Sequence, residues 1–106
     1  MVGSPVTLVD IQLPRLAGTR EAARELIQRS GVAHGGETAV LLSARLLTTG
    51  TISFADEVVK LLQEAGVNEV VLAGAPQRFE HLVKTAAARR GLSGLRLASP
   101  DDILAV

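Results

Sequence analysis

At 106 residues, with 47% hydrophobic and 21% charged residues, the chain is one domain by size and globular rather than disordered by composition. Eleven Lys and Arg balance eleven Asp and Glu, and the only aromatic residues are Phe54 and Phe79. A net charge of zero argues against non-specific binding to nucleic acid, and the scarcity of rings removes the platforms on which single strands stack.

Val6–Ile11 is apolar and β-branched, bounded by Pro5 and Pro14, and reads as a strand whose direction the irregular Pro14–Gly18 link leaves open. Thr19 is placed to cap a helix running from Arg20 to Arg29, with Ala22, Ala23, Leu26 and Ile27 on one face. Glu21, Arg24, Glu25 and Arg29 fall on the other, with Glu25 and Arg29 at ion-pair spacing. Gly31 ends this helix, and His34-Gly35-Gly36 reads as a loop.

Thr38–Leu42 is a continuous apolar run, the pattern of a central strand buried on both faces. The Leu46–Ile52 segment is irregular and rich in threonine. Ser53 then reads as the N-cap of a second helix, with Asp56 three residues on and a wide apolar face of Phe54, Val58, Leu61, Leu62 and Ala65. Glu69–Ala73 is the next buried strand, and Gly74 turns it. Pro76 fits the first turn of a third helix carrying Phe79, Leu82, Val83 and Ala86 inward and Arg89 and Arg90 at its end. Leu95–Ala98 is a short last strand, and Ser99-Pro100-Asp101-Asp102 has the composition of a helix start. The order βαβαβαβα predicts an α/β domain: about four mostly parallel strands packed with helices, in one unit spanning 1–106.

Motifs for catalysis are missing. No dinucleotide-binding glycine fingerprint, phosphate-binding P-loop or nucleophile elbow occurs. His34 and His81 are not at ligand spacing, and without cysteine there is neither disulfide nor thiolate zinc site. The sequence points to no cofactor and no metal. Asp56 and Glu57 are neighbours on a helix and diverge by about 100°, which does not make an acid/base dyad. Arg78, Lys84, Arg89 and Arg90, with His81, are read as the solvated face of the third helix, with a basic patch as the alternative. The apolar runs are far shorter than a membrane span, and Met1–Pro5 lacks the basic start of a signal peptide, so a cytoplasmic protein without membrane contact is expected.

What remains is Val40–Leu62, where a buried strand feeds a threonine-rich loop and then a helix start, the end of an α/β sheet at which ligands and partners dock. Gly18-Thr-Arg-Glu-Ala-Ala-Arg-Glu-Leu26, the strand at Val40, Ser53-Phe-Ala-Asp-Glu57 and the closing Ser99-Pro-Asp-Asp-Ile-Leu104 resemble the STAS-like domains of unknown function, bacterial-type relatives of the anti-sigma factor antagonists. The resemblance runs from about Gly18 to the end, and Ser53–Glu57 is its most specific stretch. It implies a non-catalytic regulatory domain that binds an anti-sigma factor or a histidine-kinase-like ATPase. A serine or threonine at this helix start would be phosphorylated by that partner, abolishing binding. Ser53 matches that position, with Thr51 as the fallback, and Thr48, Thr49, Phe54, Asp56 and Glu57 would make up the partner surface. The sequence departs from the pattern at Ser43 and Ile52, where the family has aspartates, and at Phe54 or Ala55, where it has glycine.

An acidic first turn at Asp56 and Glu57 would repel a phosphate on Ser53, which argues against a nucleotide phosphate there. Two other readings stay open: a small-molecule or anion site at Thr48-Thr49-Gly50-Thr51 and Gly74, and a homo-oligomeric, for instance homodimeric, subunit.

Overall fold

In a computed structural model, residues 7–32 and 38–98 are described. Four strands, β1 (Thr7–Gln12), β3 (Thr38–Ser43), β5 (Glu69–Ala73) and β6 (Leu95–Leu97), form one parallel sheet in the order β1-β3-β5-β6. Two further strands of two residues each, β2 (Leu16–Ala17) and β4 (Thr49–Gly50), pair with each other in parallel as a separate small sheet. The expected α/β class, with a mostly parallel sheet, is what the chain adopts. The first strand, whose direction the sequence left open, runs parallel to β3 with Thr7 opposite Thr38 and Gln12 opposite Ser43.

Each strand of the main sheet is laid down beside its predecessor in the same direction. With right-handed crossovers, that winding sends every connecting helix to one face. These are α1 (Arg20–Ser30), α2 (Ile52–Glu64) and α3 (Gln77–Arg90), with α2 packed between the other two. Val40, Leu42, Val70 and Leu72 point from the sheet into the core, meeting Ile27, Phe54, Val58, Leu62, Phe79 and Val83 from the helices. The chain's two phenylalanines meet there, ring centroids 6.4 Å apart. On the opposite face Leu41 and Val71 are only half-buried, so β3 is central in the sheet without being enclosed on both sides as its apolar run suggested.

Local chemistry explains the helix ends. Thr19 caps α1 as expected, its Oγ1 accepting from the Ala22 amide at 3.0 Å. Gly31 and Gly91 take left-handed conformations (φ 86° and 74°) just past α1 and α3, where a side chain would be strained. The Glu25–Arg29 ion pair does not form. Arg29 Nε instead donates to the Glu25 carbonyl, and Arg24 turns towards α2. The His34 loop and the helix expected from Ser99 lie outside the described residues.

Candidate functional site

The site is built where β1 and β3 leave the sheet. Residues 48–51, within the Leu46–Ile52 segment read as irregular, are fastened to residues 15–18 by a ladder of hydrogen bonds. The Thr48 and Thr49 amides donate to the Arg15 carbonyl at 2.8 and 3.1 Å, and the Thr48 hydroxyl donates to the same oxygen at 2.8 Å. The Thr51 amide donates to Ala17 O at 3.0 Å, closing the β2–β4 pair. Gly50 is the residue this ladder requires, because a Cβ there would stand 2.3 Å from Cδ1 of the buried Phe79.

Helix α2 begins two residues earlier than expected, and its cap is Thr51, not Ser53. Thr51 Oγ1 accepts from the Phe54 amide at 3.2 Å and donates to the Gly18 carbonyl at 3.1 Å, so its hydroxyl is committed in both directions. Ser53 becomes the second helical residue, half-buried, and among the described residues its hydroxyl makes no hydrogen bond. Thr48 and Thr49 are exposed beside it. So is Ile52, at 54%, and two more large apolar residues, Leu16 and Leu46, are exposed on the segments that form this end.

Of the expected partner surface, Phe54 and Glu57 are buried, and Asp56 is part-exposed and engaged by arginines. Phe54 is 0% exposed and belongs to the core, since the third position of α2 faces the sheet. Asp56 and Glu57 are neither a cap nor a solvated first turn. They are the fifth and sixth residues of α2, and the first turn of that helix carries no acidic group. Asp56 accepts from Arg90 Nε and Nη2 at 2.9 and 2.8 Å and from Arg20 Nη1 at 2.9 Å, tying α2 to both neighbouring helices. Arg90, and then Arg20, hold its carboxyl far below the usual carboxylate range. Glu57, 3% exposed, meets Arg20 at 3.2 Å and Arg24 at 3.3 Å on α1.

This clamp was missed in the sequence because its members lie 33 to 37 positions apart. The signal that could have found it is the Arg20/Arg24 pair, one turn apart on the helix that a right-handed crossover sets beside α2.

Two adjoining hollows flank the start of α2. One of about 470 Å³ is lined by the Thr48–Thr51 loop, Ile52, Arg78 and Leu82. The other, of about 390 Å³, continues past Ile52 and Leu82 to Arg20, Asp56, Arg89 and Arg90. Gly74 does not line either; a Cβ on it would meet the Arg45 side chain. Among the described residues no group of three or more His, Cys, Asp or Glu is placed to hold a metal, and no helix is long and apolar enough to cross a membrane.

Comparison with protein-family models, curated proteins and solved structures finds no match.

Proposed function

We propose that the chain is a non-catalytic regulatory interaction domain of the STAS-like kind, docking a protein partner at the start of α2 and released when Ser53 is phosphorylated. The observation that carries this reading is the contrast between two neighbouring hydroxyls. Thr51 has given its hydroxyl to the helix cap and the β2–β4 clasp, so phosphorylating it would break both. Ser53 holds its hydroxyl uncommitted beside exposed Ile52, so a phosphate there disturbs no bond of the fold. The partner surface under this reading is Thr48, Thr49, Ile52 and Ser53, with Phe54, Asp56 and Glu57 beneath or beside it as supports.

In the transfer step a partner kinase moves the γ-phosphoryl of ATP onto Ser53 Oγ, forming the O–P bond and releasing ADP and the hydroxyl proton. The new group brings about −1.5 to −2 charges to a contact centred on apolar side chains, and desolvating it opposes binding. An anti-sigma factor or a histidine-kinase-like ATPase is the partner class the sequence resemblance implies.

Affinity capture from native cell extract, with wild type, Ser53→Ala and Ser53→Asp as baits, tests the reading. A partner held by the first two and lost by the third is expected, with all three baits melting alike. Equal capture by all three overturns the switch. A second reading, a small-molecule or anion site, is favoured only by the 470 Å³ hollow, a size that small ligands fill. A thermal-shift screen of nucleotides and metabolites with no stabilisation removes it.

A further inference from the structure

The groove along α2 and α3 has a chemistry that specifies its occupant. Its two hollows share Ile52 and Leu82, which form an apolar floor that Ala86 extends in one of them. Around that floor stand four arginines, Arg20, Arg78, Arg89 and Arg90, against one carboxylate, Asp56. Asp56 is already satisfied by Arg20 and Arg90. Arg78 and Arg89 make no side-chain hydrogen bond or ion pair among the described residues, leaving two uncompensated cations on a chain of zero net charge.

Their spacing is regular. Arg78, Leu82, Thr85 and Arg89 follow one another at steps of four, three and four, so they lie in one stripe along α3. Eleven positions at about 1.5 Å each set the two guanidinium-bearing residues about 16 Å apart, with the apolar floor between. A stripe of this period is matched by another helix lying nearly along the first, which carries the same repeat.

We propose that this groove binds an amphipathic helix of a partner protein, with apolar residues at its centre and a carboxylate near each end, about eleven positions apart. The proposal rests on the interaction-domain reading above and gives the chemistry of the partner. Nucleic acid fits less well, because a polyanion gains nothing from an exposed isoleucine. Charge complementarity sets the orientation and the encounter rate, while burial of Ile52 and Leu82 supplies the hold.

The test titrates ¹⁵N-labelled full-length protein with a synthetic peptide of about fifteen residues, some four helical turns. It carries Glu at positions corresponding to Arg78 and Arg89 and Leu or Ala between, and two controls replace Glu by Gln or Lys. The acidic peptide is expected to move the amide resonances of Ile52, Leu82, Thr85 and Arg89. Arg78→Glu with Arg89→Glu should weaken binding at least tenfold, as should the Lys control. Both variant positions are exposed, so the melting temperature should hold. Raising NaCl from about 0.05 to about 0.5 M should weaken binding severalfold, as the Debye length falls to about 4 Å.

Silence of the acidic peptide, equal binding of the Lys peptide, or shifts scattered outside the groove overturns the proposal. So does a preference of the same resonances for a single-stranded oligonucleotide or for phosphatidylserine vesicles, which makes the groove a polyanion site. The two readings fail separately. Acidic-peptide binding without Ser53-dependent capture keeps the groove and removes the switch. Ser53-dependent capture with the peptide silent keeps the interaction domain and removes the groove.

Discussion

Asp56→Asn probes the clamp that holds the three helices together. The wild-type carboxylate accepts three hydrogen bonds, two from Arg90 in a fork and one from Arg20. Asn keeps the shape but removes the charge and turns an amine towards one donor. The carboxyl is 20% exposed and both guanidiniums reach water, so the range for solvent-exposed pairs applies rather than that for buried ones. The loss should be about 1 kcal/mol, seen as a fall in melting temperature of about 4–8 °C for a domain of this size.

The pH dependence has a definite sign. The folded-state pKa of Asp56 is depressed, so its stabilisation is complete above the unfolded value of about 3.9 and is lost as pH falls below that. Thermal melts followed by circular dichroism should give a constant gap between wild type and variant from pH 7 to about 5, narrowing below about 4. In 1 M NaCl, where the Debye length is about 3 Å, the gap should also narrow. Asp56→Asn combined with Arg90→Gln should cost less than the two changes separately. A gap that persists unchanged at low pH and high salt, with purely additive double-variant energies, would refute the clamp.

Other substitutions read separate parts of the site. Phe54→Ala should cost about 3–5 kcal/mol in urea denaturation, because the ring is fully enclosed; a small loss would return Phe54 to the surface. Gly50→Ala forces a methyl into Phe79 and should cost about 1–3 kcal/mol, part of it recovered in the double variant with Phe79→Leu. Thr51→Ala removes the cap of α2 and should cost about 1 kcal/mol, whereas Thr51→Ser should retain most of the stability; equal losses in thermal melts would mean that the hydroxyl is not the cap.

Much of the fold was legible because it rests on local signals. Alternating apolar runs and helical stripes located the four strands of the main sheet and the three helices, and Thr19 and Gly31 marked the limits of α1. The errors share one cause. Ser53 and Thr51 are both good capping residues two positions apart, and the choice between them fell to the Gly18 carbonyl, 33 positions away, which Thr51 alone reaches. Phe54 was expected both on the apolar face of this helix and, by resemblance, on the partner surface; the core claims it, and Ile52, now the first helical residue, is the exposed apolar side chain. The two-residue strands β2 and β4 carry no periodicity at all; they exist because residues 15–18 and 48–51 satisfy each other's backbones.

The same shift of two residues changes the electrostatics of the proposed switch. By sequence, Asp56 and Glu57 crowd the anionic phosphate that Ser53 would carry. In the fold they sit beyond the first turn, neutralised by Arg20, Arg24 and Arg90, and the opening turn Ile52–Ala55 bears no charge. The amides at the head of α2 then favour an anion by about 0.3–1 kcal/mol with no nearby carboxylate left unpaired. A phosphate on Ser53 would accordingly stabilise α2 slightly rather than melt it. Under the proposed function, release of the partner must therefore come from the docking surface itself, through a charge set against apolar contact at Ile52. Phosphorylation at Thr51 would act in the opposite way, by opening the cap and the clasp from within. The two sites are thus separable by one property: whether the modified domain melts like the unmodified one.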